Sequence, residues 1–142
     1  MVAIQVTFLP TFDTQLARYL YQWKNTRIVA LLSRREPLSL TVMEARVNPT
    51  KAIVLVSSQG GLGPQVHDGV DGFVADISHL DEVILSSKSP EDMKELKRKA
   101  KTILTLSDAQ RDQIVANGKK LIREQYDLRN NLQTSLLKLF AE

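Results

Sequence analysis

The sequence predicts an α/β fold: a parallel sheet with flanking helices and a helical C-terminal tail. Two observations carry this expectation. Strand-like and helix-like segments alternate through the first two-thirds of the chain, and from residue 89 the pattern is helical throughout. Alternation in that order favours parallel strands joined by right-handed crossovers. A third observation fixes which strands are central. The runs within Arg27–Leu32 and Ala52–Val56 are short and apolar on both faces, as a strand covered by helices on both sides must be.

The elements follow in order. Val2–Phe8 alternates, is rich in β-formers and ends at Pro10, which predicts a strand with an open edge. Phe12, Leu16, Leu20 and Trp23 then recur at helical spacing, with Asp13 and Thr14 in the first turn. Phe12, Tyr19 and Trp23 share the apolar stripe of that helix and are expected in the core. After the strand within Arg27–Leu32 comes a loop, Ser33–Pro37, and then a helix over Leu38–Val47. The strand Ala52–Val56 leads into Ser57–Gly61, a short helix near Leu62–His67, the turn signals Asp68-Gly69 and Asp71-Gly72, and a strand Phe73–Ala75. Ser89-Pro90-Glu91-Asp92 supplies a cap, a first-position proline and an acid for a long helix. Ser107–Gln110 repeats the capping pattern for a second helix reaching Gln125. Tyr126-Asp127 breaks it, and a last helix from about Leu128 carries Leu132, Leu136, Leu139 and Phe140.

Bulk properties narrow the function classes. At 142 residues the chain suits one domain with one core, and no apolar run approaches the roughly 20 residues of a membrane-spanning helix. There is no cysteine, which removes disulfides and thiolate–metal sites. His67 and His79 have no companion at metal-ligand spacing, so no metal is expected. The N-terminal residues lack a secretory pattern, and a cytoplasmic location is the default expectation. The net charge of +3 points to nucleic acid only if concentrated on one surface. Its densest run, Lys94, Lys97, Arg98, Lys99 and Lys101, is interleaved with Glu91, Asp92 and Glu95, and reads as a solvated helix face. Neither nucleic acid nor membrane is expected as a partner. No Ser-His-Asp order supports a hydrolase.

In parallel sheets, ligands bind beyond the carboxyl ends of the strands. Two loops occupy that position here, Ser33–Leu40 and Ser57–Leu62, and both run into helix N-termini that favour an anion. Glu36 and Glu44 stand eight residues apart across the first of these junctions. Glu36 is at the helix mouth and Glu44 further along, so the two carboxylates suit hydroxyls on either side of a bound diphosphate. Taken alone, Glu36 reads as a helix-end acid stabilised by the dipole, and Gly60-Gly61 as a turn.

The motifs around that pair resemble the Glu-x7-Glu region of retaining glycosyltransferases of the GT-B fold, the family 4 group that includes glycogen, sucrose and trehalose synthases. Ser33-x-x-Glu36-Pro37, Leu40-Thr41, Glu44-Ala45, Gly60-Gly61-Leu62 and Val66-x-Asp68-Gly69-x-x-Gly72-Phe73-Val74 follow in the family's order. The resemblance implies a partial Rossmann-like nucleotide-sugar-binding domain over residues 1–88, with residues 89–142 as C-terminal helices of the same domain. By similarity, Glu36 is the catalytic-site carboxylate contacting the donor sugar, and Glu44 binds the nucleotide ribose. Ser39, Leu40 and Thr41 hold the diphosphate at the helix mouth, while Arg34, Arg35, Gly60 and Gly61 are loop contacts. The donor is a nucleotide-sugar such as UDP-, ADP- or GDP-glucose, and no cofactor is implied. Ser39 stands where the family has glycine, and Arg46, Val47 and Pro49 replace small residues. The family's Arg/Lys pair and amino-terminal acceptor domain have no counterpart in this sequence. The resemblance therefore implies a domain that is inactive alone, completed by an acceptor domain or by a homodimer through the open sheet edge. A non-catalytic α/β interaction module built on the same fold is the alternative.

Overall fold

The computed structural model describes residues 7–11, 13–33, 35–48, 50–77 and 90–127. Among these the order is α1 (Thr14–Gln22), β1 (Ile28–Leu31), α2 (Leu40–Val47), β2 (Ile53–Ser57), a 3₁₀ turn (Gly63–Gln65), β3 (Phe73–Ala75), α3 (Pro90–Leu104) and α4 (Asp108–Gln125). The strands form a parallel sheet in the order β1-β2-β3, with Ile28 opposite Ile53 and Leu55 opposite Phe73. The fold is thus the α/β architecture expected, a parallel sheet flanked by helices. Most of the Val2–Phe8 strand, Ser89 and the helix from Leu128 lie outside the described residues.

β2 is buried along its whole length, as its unbroken apolar run requires. Its side chains alternate between two layers. Ile53 and Leu55 join Phe73, Ala75, Ile77, Ile103 of α3 and Ile114 of α4 on one face. Val56 joins Val42 of α2, Leu62 and Val66 on the other. Burying one such side chain stabilises by about 1.5–3 kcal/mol, so the double coverage of β2 dominates the core. The cap of α4 forms as the sequence pattern predicts: the Ser107 hydroxyl accepts from the Gln110 amide, and Gln110 Oε1 accepts from the Ser107 amide at 3.0 Å.

The stripe on α1 departs from expectation. Asp13 caps the helix, accepting from the amides of Gln15 and Leu16, yet the helix buries no residue. Tyr19 is 61% exposed and Trp23 44% exposed, while Phe12 lies outside the described residues. The physical reason lies in the sheet. β1 is an edge strand among the described residues, and its side chains are only partly covered. Among the described residues, no layer covers the apolar face of α1.

A buried polar network joins the layers. Arg46, on α2, donates through Nη1 to the Gln65 carbonyl at 2.8 Å, and through Nη2 to the Asp71 carbonyl and carboxylate. Both charged side chains are almost fully enclosed, at 4% and 3% exposure. Burial lowers the Arg46 pKa, and the charge of Asp71 opposes that shift. The same Asp71 carboxylate accepts the His67 amide at 3.0 Å and meets His67 Nδ1 at 2.6 Å. Gly118 lets α4 approach this network, because a Cβ there would sit 3.2 Å from the Asp71 carbonyl and 3.3 Å from Arg46 Nε. Arg111 plays a similar stitching role where the chain enters the strands. It donates to the carbonyls of Ile103, Arg27 and Lys51, tying α4 to α3 and to the chain entering β1 and β2.

Two predictions follow from these pairs. Arg46→Ala leaves Asp71 buried without its guanidinium, and is expected to cost about 3–5 kcal/mol; urea unfolding measures it, and a loss below about 1 kcal/mol contradicts the network's role. The second prediction concerns Asp68. Burial raises its pKa, but the Lys99 hydrogen bond, the Val74 amide and the nearby cations outweigh that, and the net shift is downward. A carboxylate depressed in the folded state contributes stability above its unfolded pKa, and that contribution is lost as pH falls through the folded pKa. Asp68→Asn should therefore lower the melting temperature at neutral pH and flatten its fall as pH drops through the aspartate range, so that the two proteins converge in acid. An acid melting series that is identical for both proteins refutes this.

Candidate functional site at the carboxyl edge of the sheet

The loop after β1 and the loop after β2 meet at the carboxyl edge of the sheet. Their contact is made by backbone. The Gly61 amide donates to the Glu36 carbonyl at 2.6 Å. A Cβ on Gly61 would lie 1.8 Å from the Pro37 carbonyl oxygen, so only glycine permits this approach. Gly60 turns the chain with a φ of 59°. A second tie comes from Ser57, whose hydroxyl donates to the Ser33 carbonyl at 2.6 Å. The glycine pair thus holds the Glu36–Pro37 loop in place.

Ser39 is the N-cap of α2 and is buried, but its hydroxyl makes no capping bond. Its backbone is paired instead with the Gln65 side-chain amide. The Ser39 amide donates to Gln65 Oε1 at 2.9 Å, and Gln65 Nε2 donates to the Ser39 carbonyl at 3.2 Å. Leu40 is exposed, Thr41 half-buried and Glu44 exposed, while Val42 and Ala45 are buried, so one face of α2 is presented to solvent. Thr41 and Glu44 are three residues apart and share a helix face. Glu36 is half-buried at the loop, Arg35 is exposed beside it, and Arg34 lies outside the described residues.

Tyr21, near the end of α1, stands against that helix face. Burial raises its pKa first, the charge of Glu44 raises it further, and a hydrogen bond with the Thr41 side chain opposes both. The Tyr21 carbonyl accepts from the Thr50 hydroxyl at 2.6 Å, which anchors this end of α1 to the loop before β2. Tyr21 also lines an open cavity of about 400 Å³ together with Leu9, Pro10, Thr11, Asp13, Ala17 and Leu20. The arrangement is therefore a helix N-terminus, one carboxylate at its mouth, a second one turn inside, and an apolar cavity with a phenol at its border. It suits a ligand with an anionic centre, hydroxyls and a flat apolar end.

Sequence reasoning missed Tyr21 and Gln65. Tyr21 lies off the apolar stripe of α1, and a large aromatic on the polar side of a helix is the signal that marks it. Gln65 has no signal in the sequence, since its role depends on a partner 26 positions away. Among the described residues no group of three His, Asp or Glu side chains is placed to hold a metal ion.

No family model matches the sequence, and no curated protein does. Solved structures do. The C-terminal domain of a group 1 family glycosyl transferase, LpcC from Francisella tularensis, superposes with a TM-score of 0.57 at 18% identity, over 87% of this chain and 53% of that one. HepE (Alr3699) from Anabaena, solved in complex with UDP, gives 0.60 at 20% identity, over 91% of this chain and 31% of that one. The same protein with UDP-glucose gives 0.59. This chain therefore spans about half of the first structure and about a third of the second. It shares the α/β fold of the C-terminal domain of a group 1 family glycosyl transferase.

Proposed function

We propose that this chain is the nucleotide-sugar-binding part of a retaining glycosyltransferase that transfers a hexosyl group to an acceptor. The observation that supports the reading is that Tyr21, which borders the cavity, stands against Thr41 and Glu44 of α2. In this reading the diphosphate lies at the amides of Leu40 and Thr41, where free N–H groups and the helix dipole favour an anion. Glu44 accepts hydrogen bonds from the ribose hydroxyls, and the cavity takes the base. Glu36 faces the donor sugar, held there by the Gly61 amide. The reaction develops negative charge on the departing phosphate, which is where preorganised donors act most strongly. HepE, which shares the fold, was solved with UDP and with UDP-glucose, and this makes a uridine nucleotide the first ligand to try.

The reading includes a missing partner. Among the described residues, β1 is an edge strand and the aromatic stripe of α1 is exposed, and these are the surfaces on which further strands and helices would pack. A chain that spans about half of the LpcC domain fits this. Activity then requires an N-terminal acceptor domain, and the chain alone binds without transferring. One observation favours a second reading, a non-catalytic module on the same fold: the Ser39 amide, a donor at the helix mouth, is already engaged by Gln65.

Calorimetric titration with UDP, ADP and GDP, and then with the corresponding glucose conjugates, separates the two. The first reading predicts binding of one nucleotide in the micromolar-to-millimolar range. It also predicts that Glu44→Ala weakens binding about tenfold or more, as expected when a hydrogen bond to a charged group is lost, with the melting temperature unchanged because Glu44 is exposed. Equal affinity in the variant rejects the site, and absence of binding to every nucleotide leaves the second reading.

A further inference from the structure

α3 carries a surface that the proposed donor site does not use. Its inner face packs on the sheet through Leu96 and Ile103. Lys99 also turns inward, where it pairs with Asp68 and lies 5.8 Å from the centre of the Phe73 ring. Of the interleaved acids, Glu91 is exposed one turn before Lys94, while the other two are held away from the remaining lysines. Asp92 is 1% exposed. Glu95 is held in a two-pronged pair by Arg98, with both contacts at 2.7 Å. Lys94, Lys97 and Lys101 are all exposed and have no ion pair among the described residues. They stand at helical spacing on one outward stripe, which also contains Met93, 37% exposed, and Leu104, 60% exposed.

We propose that this stripe docks the protein on an anionic lipid surface, lysines against the headgroups and Met93 and Leu104 in the interfacial layer. A helix that lies on a membrane combines cationic side chains with apolar ones that enter the headgroup boundary. Each lysine near an anionic leaflet adds attraction. No described helix is long and apolar enough to cross a membrane, so the contact is peripheral. Single-stranded nucleic acid fits the stripe less well. α3 has no aromatic residue on which a base can stack, and the guanidinium of Arg98, the group suited to two-pronged phosphate contacts, is taken by Glu95. The docking also leaves the donor side open. α3 covers the sheet face of Ile53 and Leu55, whereas α2, with Glu44, covers the opposite face of Val56.

The test is co-sedimentation of the 142-residue chain with vesicles of phosphatidylcholine alone, and with vesicles containing roughly one-third phosphatidylserine. Binding is expected only to the anionic vesicles and should weaken as salt rises. The variant Lys94→Glu, Lys97→Glu, Lys101→Glu should melt like the parent and lose affinity by on the order of a hundred-fold. A charge-matched variant elsewhere, Arg18→Glu, Lys24→Glu, Lys120→Glu, should keep most of it. Met93→Ser with Leu104→Ser should weaken binding without removing its salt dependence. The proposal is overturned if neither vesicle binds, if the two charge variants lose affinity equally, or if the stripe binds a single-stranded oligonucleotide in preference to the anionic vesicles. Nucleotide titration of the stripe variant reads the donor site separately, so either result stands without the other.

Discussion

The ion pair between Arg46 and Asp71 is the constraint on which this structure turns. A guanidinium and a carboxylate taken out of water are costly unless each finds further partners. Here each does: Arg46 reaches the Gln65 and Asp71 carbonyls, and Asp71 takes the His67 amide and ring. The consequence is positional. Arg46 lies in the last turn of α2, Gln65 and Asp71 in the connection between β2 and β3, and Gly118 of α4 closes over them. Gln65 then extends the chain of contacts to the Ser39 backbone at the start of α2. One network thus fixes both ends of the helix that presents Thr41 and Glu44.

The cost of this arrangement falls on the helix mouth. A side-chain amide that satisfies the Ser39 N–H and C=O makes the cap rigid without the Ser39 hydroxyl, and it also removes one donor from any anion that arrives there. Leu40 and Thr41 carry what remains of the helix's N-terminal donors. The loop of Glu36 is held independently, by the Gly61 amide and by the closeness that only glycine at that position allows. Position in this site is therefore set by backbone contacts and buried polar pairs, while the groups that would meet a ligand are left exposed.

Much of the fold was legible because its signals are local or periodic. The continuous apolar run of β2 declared a strand covered on both faces, and Ser107 with Gln110 declared the start of α4. The expectation for α1 failed for an instructive reason. Its stripe of Tyr19, Leu20 and Trp23 has the spacing of a core-facing helix, but periodicity reports only that a face is apolar, not whether anything covers it. Of the residues the motifs single out, Gly61 has a visible local reason, the close approach to Pro37 that only glycine allows. Gln65, Tyr21 and the Arg46–Asp71 pair were not legible, because each depends on a partner distant in sequence. On α3 the basic run is the solvated face that its pattern predicts, with Lys94, Lys97, Arg98 and Lys101 exposed, apart from Lys99 and Asp92, which turn inward.

The central claim is that a nucleotide diphosphate settles at the first turn of α2, with its nucleoside toward Glu44 and Tyr21. Amide chemical shifts of the ¹⁵N-labelled chain, followed through a titration with UDP, test that claim most directly. The account predicts saturable shifts concentrated at Leu40, Thr41, Glu44 and Tyr21, with α3 and the outer face of α4 silent. Saturable shifts centred on α3 or α4, or none anywhere at millimolar UDP, would contradict it.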